Sequence, residues 1–242
     1  MEEVTIEKMK KMHLNGMSTT YHQDLSTGMI KDYTIAEYLS TLTDAEWEHR
    51  ENRKIKNLKK NARFRASAHP LNIDYTIDRQ LDKGVMQRLL GLGFINNAEN
   101  IIFTGLTGTG KSYLAQAIGV KACEQLYKVY YYTISQLSDT IQEVMIKGTY
   151  PRWIKKMQQC PLLIIDDFGL TGIDVSTRKA LMDIIDYKYS KSSMIIVSQI
   201  PVSKWHQLIG EDTIADAIMD RIIHNTHRIE LKGESIRRQK KI

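Results

Sequence analysis

One stretch sets the frame for the whole chain. Gly105-Leu106-Thr107-Gly108-Thr109-Gly110-Lys111-Ser112 has the spacing G-x-x-x-x-G-K-[ST] of a loop that cradles phosphate. Its surroundings agree. Ile101-Ile102-Phe103 is a short apolar run, as a buried parallel strand should be, and Tyr113, Leu114, Ala117, Ile118 and Ala122 follow at helical spacing. Glycine lets the backbone turn its N–H groups inward without a Cβ in the way, and the helix adds the positive end of its dipole. The motif assigns contact with a nucleotide, ATP, to Gly105, Thr107, Gly108, Thr109, Gly110, Lys111, Ser112 and Tyr113. Lys111 should reach the β- and γ-phosphates and Ser112 should ligate Mg²⁺.

Leu162-Leu163-Ile164-Ile165-Asp166-Asp167 is the second strong signal. Four apolar residues read as a buried strand, and two carboxylates stand at its C-terminal end, where open α/β sheets bind ligands. By itself an Asp-Asp pair could be a simple turn. With a phosphate loop upstream it reads as a Walker B strand. Asp166 is expected to hold the Mg²⁺ shell and Asp167 to orient or polarise the attacking water. A further apolar run, Met194-Ile195-Ile196-Val197, ends in Ser198-Gln199, a polar strand tip able to reach the γ-phosphate or that water. Val129-Tyr130-Tyr131-Tyr132-Thr133 reads as the second strand, with Ser135 as cap of the next helix, and Arg228-Ile229-Glu230-Leu231 reads as the last strand.

The region before His69-Pro70 has a different character, and the residue before a proline avoids helix, so a boundary is expected there. Residues 1–69 are expected to form a small helical domain and 70–242 the nucleotide-binding domain. Asn15-Gly16 reads as a polar break after a first helix. A second helix is expected near Ile35 to Leu42, and Thr43-Asp44-Ala45-Glu46 has the T-x-x-E form of a capping box that starts a third. That helix then turns strongly basic, with Arg50, Arg53, Lys54, Lys56, Lys59, Lys60, Arg63 and Arg65 opposed by Glu51. A run of one sign can be a solvated face, but its density favours contact with DNA phosphates, largely indifferent to sequence. Lys147 and Arg152 are further candidates. The formal net charge of +6 fits an anionic partner, and much of it lies in the tail beyond Arg221.

Cys123 and Cys160 lack metal-type spacing and read as packed thiols. Met1-Glu2-Glu3 lacks the basic start and apolar run of a signal peptide, so a cytoplasmic protein is expected.

Taken together, residues 105–112, 162–167, Ser198-Gln199, Asp220-Arg221 and Gly233-Glu234-Ser235-Ile236-Arg237 resemble the AAA+ ATPases of the IstB/DnaC group. Glu46-Trp47-Glu48-His49-Arg50-Glu51-Asn52-Arg53 is most similar to IstB, the ATP-binding helper of IS21-type insertion sequences. The resemblance covers nearly the whole chain. It implies an α/β fold, an AAA+ P-loop NTPase core whose parallel sheet is flanked by helices, preceded by a small all-α N-terminal domain. It implies that Gln199 is the sensor 1 residue, Arg221 an arginine finger acting on a neighbouring subunit, and Arg237 the sensor 2 arginine. Asp167 replaces the usual Glu. The implied partners are double-stranded DNA, further copies of the chain in head-to-tail contact, and the transposase of the same element. A DnaC-type helicase loader, a P-loop kinase for a small acceptor and a nucleotide-gated binder without hydrolysis are the competing expectations.

Overall fold

A computed structural model of the chain describes residues 2–236. It divides into two compact units, the first ending at Asn57 and the second beginning at Leu58. The division falls inside one helix, twelve residues before the boundary expected at His69-Pro70.

The first unit is helical: α1 (Glu2–Lys11), α2 (Asn15–Thr27) and the greater part of α3 (Ile35–Ala62). Two sequence expectations are corrected here. The break after α1 lies at His13-Leu14, with His13 at φ 59°, and Asn15-Gly16 instead begins α2. Gly16 is there for proximity: a Cβ on it would stand 2.4 Å from the Ala45 carbonyl oxygen on α3. Nor does a helix start at Thr43, since α3 runs unbroken from Ile35. The capping box is formed one motif earlier, where Glu37 accepts from the Thr34 backbone and hydroxyl while Thr34 accepts from the Glu37 N–H. Thr43 bonds back to the Leu39 carbonyl, and Glu46, only 5% exposed, caps the start of α2 by accepting from Gly16 at 2.7 Å and Met17 at 3.2 Å. A T-x-x-E spacing cannot say whether its glutamate serves its own helix or a neighbour.

The second unit holds the sheet. After α4 (Lys83–Leu90) and the single turn α5 (Gly93–Asn96), the order is β1 (Asn100–Gly105), α6 (Lys111–Glu124), β2 (Val129–Thr133), α7 (Ile134–Ile146), α8 (Tyr150–Gln158), β3 (Leu162–Phe168), α9 (Val175–Lys188), β4 (Ser193–Ser198), α10 (Trp205–Ile209), α11 (Asp212–Ile223) and β5 (Thr226–Leu231). The helix after β2 is capped by Thr133, which forms a full capping box with Gln136, rather than by Ser135. Thr133 is the last strand residue, where extended φ and ψ suit an N-cap.

The five strands are parallel in the order β2-β3-β4-β1-β5. Both faces are covered, as a parallel sheet requires, and successive residues alternate between them. Ile101, Phe103, Ile164, Ile195 and Val197 pack with α6, while Ile102, Leu163, Ile165 and Ile196 pack towards α7, α9 and α11. Trp205 is fully buried on the second face, its indole N–H donating to the Ile200 carbonyl at 3.0 Å. Cys123 and Cys160 are buried free thiols. No helix among the described residues is long and apolar enough to cross a membrane.

Candidate nucleotide-binding site

The strand order decides what meets what. β4 inserts between β1 and β3, so the phosphate loop after β1, the two carboxylates of β3 and the polar tip of β4 stand side by side at one sheet edge. There a cleft of about 900 Å³ is lined by Thr107, Gly108, Gly110, Lys111, Ser112, Tyr113, Asp166, Asp167, Ser198 and Gln199. The sequence-predicted residues Lys111, Ser112, Asp166, Asp167 and Gln199 are therefore brought together.

The loop is built on glycine geometry. Gly105, Gly108 and Gly110 have φ of 135°, 81° and 93°. A Cβ on Gly105 would stand 2.0 Å from the Leu231 carbonyl oxygen of β5, and one on Gly108 would stand 2.0 Å from Ser235 Oγ. Thr109 is fully buried and donates to the Leu106 carbonyl at 2.9 Å, so its side chain braces the loop instead of lining the cleft. Lys111 Nζ donates to the same carbonyl at 2.7 Å. Tyr113 lines the cleft, while its hydroxyl exchanges hydrogen bonds with the His69 backbone at 3.3 Å.

Asp166 is 1% exposed and accepts from three donors: Ser112 Oγ at 3.0 Å and the Asp167 N–H at 2.8 Å reach Oδ1, and the Tyr131 hydroxyl reaches Oδ2 at 2.6 Å. Burial, then Asp166, push the Tyr131 phenol pKa well above its ordinary value, so it stays a donor. Asp167 has φ 56°, and the β3–β4 register slips between Ile165 and Phe168. The left-handed region is uncommon for a non-glycine residue, and the carboxylate of Asp167, held there, lines the cleft. Burial and the neighbouring Asp166 raise the Asp167 pKa; Arg65, whose guanidinium lies 3.3 Å from Oδ2, opposes them.

A hydroxyl and a carboxylate 3.0 Å apart, beside a glycine-rich loop at the same cleft, fit a Mg²⁺ shared with nucleotide phosphates. Among the described residues no cluster of three or more His, Cys, Asp or Glu could cage a metal alone. Mg²⁺ characteristically takes one or two protein ligands, with phosphates and water completing its shell.

Three contributors were not singled out for this site from the sequence. Tyr131 and Arg65 bear on the two carboxylates. Arg79, 3% exposed, donates to the Thr109 carbonyl at 3.3 Å and the Asp74 carbonyl at 2.8 Å, tying the segment before α4 to the loop. Neither Tyr131 nor Arg79 had a readable cue: Tyr131 comes to Asp166 because it pairs in register with Ile164, two residues earlier on the same face of β3.

The remaining candidates lie elsewhere. Arg221 is on α11, outside the cleft lining, donating to the Ala217 carbonyl at 3.0 Å and pairing with Asp186 at 2.9 Å. The Ile236 N–H donates to the Gly108 carbonyl at 3.0 Å, so the chain reaches the loop there; Arg237 lies outside the described residues. On α3, Arg53, Lys56 and Lys60 are exposed, as is Arg63 just beyond it. Four side chains of the basic run carry acidic partners: Arg50 with Glu46, Lys54 with Glu51, Lys59 with Glu124 and Arg65 with Asp167. Lys147 pairs with Glu143, and Arg152 is exposed.

The parallel sheet with an inserted β4, the phosphate loop and the acidic strand end define a P-loop nucleotide-binding fold of the AAA+ type. The fold of DnaI is similar, with a TM-score of 0.57 at 17% identity over 70% of this chain and 90% of that one. Sequence comparison narrows the class. The profile of the family described as IstB-like ATP binding protein matches residues 7–242, and the chain belongs to that family. An insertion-sequence ATP-binding protein of Sinorhizobium fredii is 38% identical, covering 98% of this chain and 97% of its own length. The IS21 ATP-binding protein of Pseudomonas aeruginosa is 28% identical, covering 99% and 89%.

Proposed function

We propose that this chain is an ATP-dependent, DNA-binding transposition helper. It hydrolyses ATP to ADP and phosphate, assembles head-to-tail on duplex DNA, remodels that DNA and recruits or activates the transposase of its element, with hydrolysis controlling disassembly. The observation that carries the reading is the convergence of Lys111, Ser112, Asp166, Asp167 and Gln199 on one cleft, in a chain of the insertion-sequence ATP-binding family.

The roles follow from position. The N–H groups of residues 107–112 and Lys111 hold the phosphates. Ser112 and Asp166 hold Mg²⁺, which when bound neutralises charge on the phosphate oxygens. Asp167 accepts a hydrogen bond from the attacking water, and Gln199 at the tip of β4 orients it. Arg221 lies outside its own cleft, which suits a side chain that stabilises developing charge on a neighbour's nucleotide. Such a contact is heterologous and builds a ring or a helical filament. Arg53, Lys56, Lys60 and Arg63 are the exposed cations best suited to DNA phosphates. The soluble compartment is the cytoplasm, where ATP and the element's DNA meet.

The test is binding to duplex and single-stranded DNA of matched length, with and without ATP, while complex size is followed. Large, salt-sensitive, ATP-dependent complexes on duplex are expected, indifferent to sequence. A preference for single strands would replace the transposition reading with a helicase-loading one. No DNA binding would overturn both.

A further inference from the structure

Asp166 has a donor that the P-loop ATPase plan of phosphate loop and acidic strand does not require. Tyr131 sits on β2, on the opposite side of β3 from β4. Parallel register sets Thr133 beside Asp166, so Tyr131 lies one same-face step back along the strand. Its ring spans that step and brings the hydroxyl to 2.6 Å from Asp166 Oδ2. The side chain is 2% exposed, and the Phe64 ring packs on it with centroids 6.2 Å apart.

We infer that Tyr131 is a positioning residue for the Mg²⁺ site: its hydroxyl fixes the plane of the Asp166 carboxylate so that Ser112 and Asp166 present their oxygens to the metal together. This rests on the nucleotide–Mg²⁺ reading of the cleft. The physical case is one of freedom. Ser112, one of the two donors on Oδ1, would turn its hydroxyl oxygen to the metal, which leaves the Asp167 N–H as the remaining hold on that oxygen. The short hydrogen bond from the buried Tyr131 phenol to Oδ2 supplies a second fixed point on the carboxylate. Removing the hydroxyl leaves Oδ2 without its donor in a dry setting and unlocks the ligand. Outer donors of this kind change metal affinity by about 10–100-fold when deleted. The Tyr131 hydroxyl donates to Asp166 rather than to the loop, so phosphate binding without metal should be spared.

The experiment is equilibrium ATP binding by calorimetry, with wild-type protein and Tyr131→Phe, first in excess chelator and then across a Mg²⁺ titration. Equal ATP affinity in chelator is expected, with the Mg²⁺ concentration for half-maximal enhancement raised about tenfold or more in the variant. The same substitution is then made in an Asp166→Asn background. Acting through Asp166, it should add nothing there, whereas a general packing defect would add its full effect in both backgrounds and overturn the inference. A Mg²⁺-responsive wild type with an unmoved Tyr131→Phe midpoint would overturn the role of Tyr131 alone. A wild type whose ATP binding ignores Mg²⁺ would overturn this inference together with the proposed metal site.

Discussion

Arg221→Ala gives the sharpest test of assembly-dependent hydrolysis. The side chain is 28% exposed and its partner Asp186 is 60% exposed, so the lost ion pair should cost less than about 1 kcal/mol. The melting temperature should therefore fall by no more than about 2–4 °C. ATP binding should be unchanged, because Arg221 is absent from the cleft lining. Turnover should drop about 10³–10⁵-fold, the range measured for arginine fingers, or about 4–7 kcal/mol of transition-state stabilisation. Mixing makes the geometry explicit. Asp167→Asn stops hydrolysis at a subunit's own site but leaves its phosphate loop and its Arg221. In an equal, random mixture with Arg221→Ala, half of all subunits keep an intact site, and half of those face an intact arginine. Turnover should recover to about one quarter of wild type, although each variant alone is inactive. Phosphate release measured against mixing ratio reads this directly. Full turnover by Arg221→Ala, or no recovery between two folded partners, would refute the reasoning.

Other consequences are simpler to measure. In Gly16→Ala the new Cβ would meet backbone atoms of Ala45 and Glu46 at 2.4 and 2.7 Å, so α2 must shift from α3; a loss of about 1–3 kcal/mol in denaturant unfolding is expected, and an unchanged midpoint would contradict the close approach. Burial pushes the Glu46 pKa up, but Arg50 and the N–H groups of Met17 and Gly16 outweigh it and hold it below its ordinary value. A depressed folded-state pKa contributes stability above the unfolded value of about 4.3 and loses it as pH falls, so wild type should lose stability more steeply on acidification than Glu46→Gln. At neutral pH, Glu46→Gln should speed hydrogen exchange at the Gly16 and Met17 amides; equal rates would remove the cap. Replacing Lys60 and Arg63 together by Ala should flatten the salt dependence of duplex binding by about one unit of log–log slope for each phosphate no longer neutralised. An unchanged slope would place the DNA interface elsewhere.

What could be read in the sequence was local or periodic. Glycine spacing at 105–112 is fixed by backbone sterics, and apolar runs mark buried parallel strands because both faces are covered. The phosphate loop, Asp166, Asp167 and the Ser198-Gln199 tip were legible for that reason, and the five strands were each legible to within one or two residues at either end. Capping was less legible. Thr43 and Glu46 have the right spacing, yet Glu46 turns to the start of α2, and Ser135 yields to Thr133. A cap depends on which orphan N–H group stands within reach, which spacing alone does not specify.

The tertiary structure decided the rest. Sequence order does not say that β4 lies between β1 and β3, and only that insertion carries Gln199 beside Lys111 and Asp166. Tyr131 and Arg65 gained their roles from register and from chain folding across more than thirty and one hundred residues respectively. Arg79 supports the loop through a backbone carbonyl, which any sequence would offer. Short-range sterics and side-chain periodicity therefore determined that this chain binds nucleotide phosphate on a parallel sheet. Which further side chains grip the two carboxylates was set by long-range strand order and register, which join residues that the sequence keeps far apart.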